Sequence, residues 1–188
     1  TVTLENFNLS HVPVYIMDEE TLSAYSLYMS TLGNRPDLFS GSQYPHASTL
    51  KEPTYYDVPP EALEDEQFAV MLKEAEKYIG YPYVWGGSSP STSFDCSGFI
   101  SWVINHSGWN VGRLGAQGLY NICTPVSSSQ AKPGDLVFFV GTYDTPGVSH
   151  VGLYVGNSVM LHCGDPISYT NLNSNYWQSH FYSFGRLP

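Results

Sequence analysis

Basic side chains are scarce in this sequence. Its 188 residues include 7 lysines and arginines against 17 aspartates and glutamates, a formal net charge of −10. A chain that tracks phosphate backbones needs a basic stripe to displace counterions, so nucleic-acid binding is excluded as its main role. Cysteine is scarce as well. Cys96, Cys123 and Cys163 cannot close a disulfide framework, and none has the Cys-x-x-Cys or Cys/His spacing of a zinc site. At least one thiol is therefore free or externally paired. No apolar run approaches the roughly 20 residues that span a bilayer, and no basic segment followed by an apolar one opens the chain. Internal repeats and low-complexity tracts are also missing. What is present is globular: 42% hydrophobic and 15% aromatic residues let a chain of this length bury roughly two-thirds of its unfolded surface without a metal or disulfide staple.

Charge divides the chain. Residues 1–76 hold 13 acids against 3 bases, whereas 77–188 hold 4 against 4, which predicts two parts with different tasks. In the first part Asp18 is placed to cap a helix running to Gly33, and the prolines and glycine between 34 and 60 mark a loop or linker. A second helix is expected from Glu61 to Ile79, with acids at its positive end, Phe68, Met71, Leu72, Ala75 and Tyr78 on one face, and Gly80 as the stop. The domain reading is an appendage over 1–60 and a catalytic domain over 61–188. A third helix is expected over Cys96–Ser107, apolar nearly all round, followed by a long polar connection over 109–134. Strands are expected at Asp135–Val140, His150–Val155, Ser158–Cys163 and His180–Phe184. Short loops between them imply antiparallel pairing, an α+β layer fold with helices packed on one side of the sheet.

The chemistry centres on Cys96. A thiol at a helix N-terminus meets unpaired N–H groups and the positive end of the macrodipole, which favour a thiolate. Asp95 is the expected N-cap, and Gly98 lets another backbone approach closely. A lone buried cysteine is more often a small hydrophobe, but two strand histidines, His150 and His162, offer a base and an orienting group. They share a sheet face only with an odd loop or a bulge between them. A three-residue Val155-Gly156-Asn157 loop, which sets them directly opposite, is the form expected. Gly152 would then lie on the histidine face and admit the cysteine helix. The Cys96 N–H and the Tyr83 hydroxyl are the candidate oxyanion donors.

Five segments in order resemble the NlpC/P60 cysteine peptidases of bacterial cell walls: Tyr81-Pro82-Tyr83-Val84-Trp85-Gly86-Gly87, Phe94-Asp95-Cys96-Ser97-Gly98-Phe99, Lys132-Pro133-Gly134-Asp135-Leu136-Val137-Phe138-Phe139, His150-Val151-Gly152-Leu153-Tyr154-Val155-Gly156-Asn157 and Val159-Met160-Leu161-His162. Arg113–Gln117 resembles the family only loosely. The resemblance implies a papain-like α+β fold and hydrolysis of the D-γ-glutamyl–diamino acid bond in peptidoglycan stem peptides. It assigns catalysis to Cys96, His150 and His162 and substrate binding to Tyr83, Asp95 and Ser97. No cofactor and no metal are expected, and the protein is expected to act as a monomer outside the bacterial cytoplasm or at the wall. Because the chain opens at Thr1, an upstream domain of a longer protein is an expectation too. Residues 1–60 match nothing in the family and are read as a cap or linker, since an anionic wall repels an acidic anchor. Two alternatives share the scaffold: an N-acetylmuramoyl-L-alanine amidase or acyl transferase, and a binding module whose chemistry has lapsed.

Overall fold

The computed structural model describes residues 53–188. The helix expected over 18–33, and the appendage as far as residue 52, lie outside the described residues. An extended strip, 53–59, leads into a single 3₁₀ turn, Pro60–Glu64. There follow α1 (Glu66–Glu76), β1 (Ser88–Ser89), β2 (Ser93–Phe94), α2 (Cys96–Asn105), α3 (Ala116–Ile122), β3 (Thr124–Val126), β4 (Leu136–Val140), β5 (Val148–Gly156), β6 (Val159–Cys163), β7 (Ile167–Asn171), α4 (Asn175–His180) and β8 (Phe181–Arg186).

The acid-led pattern predicts one helix from Glu61 to Ile79, and the structure divides it at Asp65. The reason is capping: the Asp65 carboxylate accepts from the N–H groups of Gln67 and Phe68, both at 3.2 Å, which holds Asp65 itself in an extended conformation. The polar stretch 109–134 also differs from expectation, because it contains α3 and β3. Ala116, Leu119 and Cys123 are its buried residues, a sparse helical spacing that Gly118 and the amides of Gln117 and Asn121 obscure in the sequence.

Six strands form one antiparallel sheet in the order β3-β8-β4-β5-β6-β7. One face carries Leu136, Phe138, Val151, Leu153, Val155, Leu161 and Cys163, packed with Phe68, Met71, Phe99, Ile100 and Leu119 from α1, α2 and α3. Each such side chain, fully buried, contributes about 1.5–3 kcal/mol. The other face carries Val137, Phe139 and Met160 with Leu172 and Phe184, and the short α4 covers it through Trp177. The free edge of β7 is closed by the strip, whose Thr54 carbonyl accepts from the Tyr169 N–H at 3.0 Å while the Tyr56 ring packs 5.8 Å from that of Tyr169.

The β5–β6 hairpin departs from expectation in an informative way. Its turn is the two-residue Asn157-Ser158, both with positive φ (50° and 58°), and parity is restored by a bulge at Val155. Leu153 pairs with Leu161, which places His162 across from Gly152, not from His150. The two histidines share a face as predicted but sit diagonally, two residues out of step. Gly152 accordingly makes room for Met160 and His162, 2.8 and 3.1 Å from the position a Cβ would take, and not for the cysteine helix. That helix packs on the opposite face, over Val151 and Leu153.

Gly98 performs the close approach expected of it. A Cβ there would lie 2.1 Å from the Gly87 carbonyl oxygen, so α2 rests directly on the backbone that precedes β1. Gly98→Ala is expected to destabilise the domain by about 3 kcal/mol. Gly118→Ala, facing only the movable Leu114 side chain at 3.4 Å, is expected to be neutral or up to about 1 kcal/mol stabilising. Urea denaturation of the two variants checks both.

Candidate active site

Asp95 organises the start of α2. Its Oδ1 accepts from the Gly98 N–H at 2.6 Å and the Ser97 hydroxyl at 3.0 Å, and its Oδ2 accepts from the Gly86 N–H at 3.1 Å and Arg113 Nη2 at 2.6 Å. Four donors fill the roughly four acceptor positions of a carboxylate. One residue therefore ties the first turn of α2 to the loop before β1 and to the connection before α3. Cys96 follows it directly, only 6% exposed. Its thiol lies against β5, with Sγ 3.9 Å from the Ser149 carbonyl oxygen as a weak donor. The N–H groups of Val151 and Ser97 act on the sulfur and stabilise its charged form.

At this point β5 is bulged. Phe139 pairs with His150 but Val140 pairs with Val148, so Ser149 is the extra residue, and the strand turns as it passes Cys96. Ser149 is held there by its hydroxyl, which accepts from the Thr142 N–H at 3.0 Å. His150 Nε2 lies 2.9 Å from His162 Nδ1, and His162 Nε2 lies 3.0 Å from Thr170 Oγ1 on β7. Among the described residues Cys96 forms no hydrogen bond to His150. The structure thus brings the histidines into direct contact and sets the thiol beside the backbone of the residue before His150.

Trp177 seals the histidine pair. Its ring lies 5.2 Å from that of His150 and 5.1 Å from that of His162, with Phe139 4.6 Å behind. Burial pushes His150 down to about 4. It pushes the Cys96 thiol up to about 11, with the Asp95 charge adding to the rise and the Val151 and Ser97 N–H groups and Arg113 opposing it. Position at a helix N-terminus predicts a lowered thiol; the desolvation of an almost fully enclosed sulfur outweighs it. Tyr83 is raised too, by burial first and then by Cys96 and Asp95, so its phenol remains a neutral donor within electrostatic reach of the thiol.

Three partners were not legible as site residues: Thr170, Trp177 and Arg113. Thr170 had a signal, since Ile167, Tyr169 and the alternating polar residues of β7 form a period-two pattern, but Pro166 and the neighbouring serine and asparagine residues mask it. At the mouth, Trp85 and Tyr143 are exposed (57% and 42%) and meet edge to face at 5.1 Å. They join the loop that follows Tyr83 to the loop that ends at the Ser149 bulge. Among the described residues no three of His, Cys, Asp and Glu converge as a metal ion would require, and no helix is long and apolar enough to cross a membrane.

Known proteins resemble this chain in sequence and in fold. The bifunctional muramidase/DL-endopeptidase CwlT of Bacillus subtilis is 46% identical over 121 residues, 64% of this chain and 36% of its own length. The probable endopeptidase p60 of Listeria welshimeri is 45% identical over 119 residues, 62% of this chain and 22% of its own. The chain therefore spans only about a fifth to a third of these relatives. A crystal structure of a Staphylococcus aureus protein, described as similar to lipoprotein of the NLP/P60 family, superposes with a TM-score of 0.63 at 35% identity, covering 90% of this chain and 61% of that one. The sequence pattern of the NlpC/P60 family itself matches residues 80–186. Since that match takes in more than half of the chain and every element carrying the thiol and the two histidines, the chain belongs to the NlpC/P60 family.

Proposed function

We propose that the protein hydrolyses peptidoglycan stem peptides at the D-γ-glutamyl–diamino acid bond, with Cys96 as nucleophile, His150 as base and acid, and His162 as the group that orients His150. The observation that carries this reading is the imidazole chain, His150 Nε2 to His162 Nδ1 to Thr170, beside a thiol at a helix start. If His150 Nε2–H donates to His162 and His162 Nε2–H donates to Thr170, the Nδ1 of His150 is left as the free base. The Cys96 proton passes to that nitrogen as sulfur attacks the γ-carbonyl. The Cys96 N–H and the Tyr83 hydroxyl meet the oxyanion. Collapse breaks the C–N bond, His150 returns the proton to the leaving amine, and a thioester remains. Water, giving a proton to His150, then releases the γ-carboxylate and regenerates the thiol. The site of action that this substrate implies is the bacterial wall, outside the cytoplasm.

The resting pair is neutral. With His150 at about 4 and Cys96 at about 11, neither group ionises alone near pH 7. In this reading thiolate and imidazolium stabilise each other in a low-dielectric site once the proton has moved, so the two charges form together. Asp95 and Ser97 support the scaffold: all four acceptor positions of Asp95 are already used within the chain. A free α-amine on the stem finds no vacant acceptor on Asp95, so in this reading binding does not require one and glycan-linked stems are substrates too. The exposed Trp85–Tyr143 pair forms its wall, offering flat apolar faces to substrate.

Four outcomes are expected. Mass spectrometry of defined muropeptides shows cleavage after γ-D-Glu by the wild type and none by Cys96→Ala, with glycan-linked stems cut as readily as free ones; release of an intact stem would instead mark an amidase. His150→Gln lowers the rate of Cys96 alkylation by iodoacetamide at pH 7 at least about a hundredfold, because the thiol left alone ionises near 11. The same variant flattens the acid limb of stability. An imidazole held at about 4 when folded and about 6.5 when unfolded contributes stability above pH 6.5 that is lost as pH falls toward 4, read as the urea midpoint at each pH. Trp85→Ala raises KM severalfold and leaves kcat near its wild-type value, as steady-state kinetics on a soluble stem peptide will show.

A further inference from the structure

Arg113 stands on neither element that carries a reacting group. From the connection between α2 and α3, its Nη2 donates to Asp95 Oδ2 at 2.6 Å and its Nη1 donates to Ser97 Oγ at 2.9 Å and to the Leu114 carbonyl. One planar guanidinium therefore grips the residue before Cys96 and the residue after it. Such a fork is rigid and always charged, which a lysine ammonium does not reproduce.

We propose that Arg113 is a positioning residue for the nucleophile: it locks the first turn of α2 and neutralises the Asp95 carboxylate, so that a thiolate can form one residue away. The proposal rests on the reading of Cys96 as nucleophile. It follows from a conflict within the cap. An aspartate is among the best N-cap residues, yet its charge beside a thiol opposes ionisation of that thiol. After burial, Asp95 is the group that raises Cys96 most, and Arg113 is a group that lowers it.

The other titratable groups around the sulfur leave this pair as the fixed charges. Tyr83, from the loop before β1, and Cys163, from β6, are both raised by burial and remain protonated. His150, from β5, is held neutral by burial, with His162 behind it. Asp165 accepts from the Tyr83 N–H at 3.3 Å and acts on Cys163, whereas Asp95 and Arg113 are the charges that act most on Cys96. Ser97 links the two halves of the device, donating to Asp95 and accepting from Arg113. Removing the guanidinium exposes Cys96 to an uncompensated carboxylate, and removing both charges leaves a neutral cap.

The test is the pH dependence of Cys96 alkylation by iodoacetamide, read on the Cys96 peptide by mass spectrometry, with the thermal midpoint of each variant measured alongside. Arg113→Gln is expected to raise the apparent pKa of Cys96 by about one unit and to slow alkylation at pH 7 about tenfold. Arg113→Lys raises it less. Asp95→Asn combined with Arg113→Gln returns it to the wild-type position, since asparagine still caps the helix. An Arg113→Gln variant with a lower midpoint and an unmoved pH profile shows a purely structural residue and overturns the proposal, as does a double variant that keeps the raised pKa. Should Arg113→Gln fail to fold, the lysine and double variants decide by the same criteria. A wild-type Cys96 that does not alkylate near pH 7 overturns the nucleophile reading itself, a result distinct from any change among the Arg113 variants.

Discussion

The Asp95 carboxylate is the constraint from which the site is built. A helix start leaves four N–H groups without partners, and a thiol placed there depends on how that end is held. Asp95 satisfies the Gly98 N–H, reaches back to the Gly86 N–H and accepts from Ser97 and Arg113. Three separate stretches of chain are joined by one side chain. Gly98 completes the arrangement from the other side, because the absence of a Cβ lets the Gly87 carbonyl oxygen lie where one would be. The position of Cys96 relative to β5 therefore follows from one cap and one missing methyl group.

The second constraint is that the thiol and the imidazoles come from opposite faces of one sheet. Cys96 is carried by the helix layer over Val151 and Leu153, while His150 and His162 project into the layer of Phe139, Met160 and Trp177. A regular strand would keep the two layers apart along its whole length. The bulge at Ser149 breaks that regularity where the thiol rests, and the bulge at Val155 sets the parity that lets the histidines meet. Enclosure by Trp177 then desolvates the imidazoles. A dry site opposes lone charges and strengthens the attraction within a pair, so the same packing that raises the thiol also favours its ionisation jointly with His150.

Much of this was legible in the sequence where a local rule governs. Asp95 as cap, Cys96 at the helix start, Gly98 as a contact point and the shared face of His150 and His162 all follow from short-range geometry. What sequence could not supply was tertiary. The diagonal offset of the histidines depends on where a bulge falls, and a bulge at Val155 leaves no compositional mark. The division of the second helix at Asp65 was readable from the aspartate but lost among the neighbouring acids Glu61, Glu64 and Glu66. Thr170 and Trp177 act on the histidines from 8 and 15 residues beyond His162, through pairings that exist only once β7 and α4 are in place. Arg113 lay in the stretch with the weakest family resemblance, and its role rests on contacts to Asp95 and Ser97 at separations of 18 and 16 residues.

Charge also limits how the domain can meet the polymer proposed as its substrate. The four bases between 77 and 188 are each in an ion pair: Lys77 with Glu74, Arg113 with Asp95, Lys132 with Asp65 and Arg186 with Asp135. The lysine pairs are largely exposed and contribute little to stability. Their consequence is electrostatic, because they leave this stretch with no unpaired lysine or arginine to attract an anionic wall from a distance. In the function proposed above, recognition is left to short-range groups: the aromatic faces of Trp85 and Tyr143, the hydroxyl of Tyr83 and the backbone around Cys96. A cleft of that kind selects by shape and hydrogen bonding near the scissile bond. Arg113 belongs with the structural charges, committed to Asp95, where its effect on substrate passes through the thiol and not through the field of the protein.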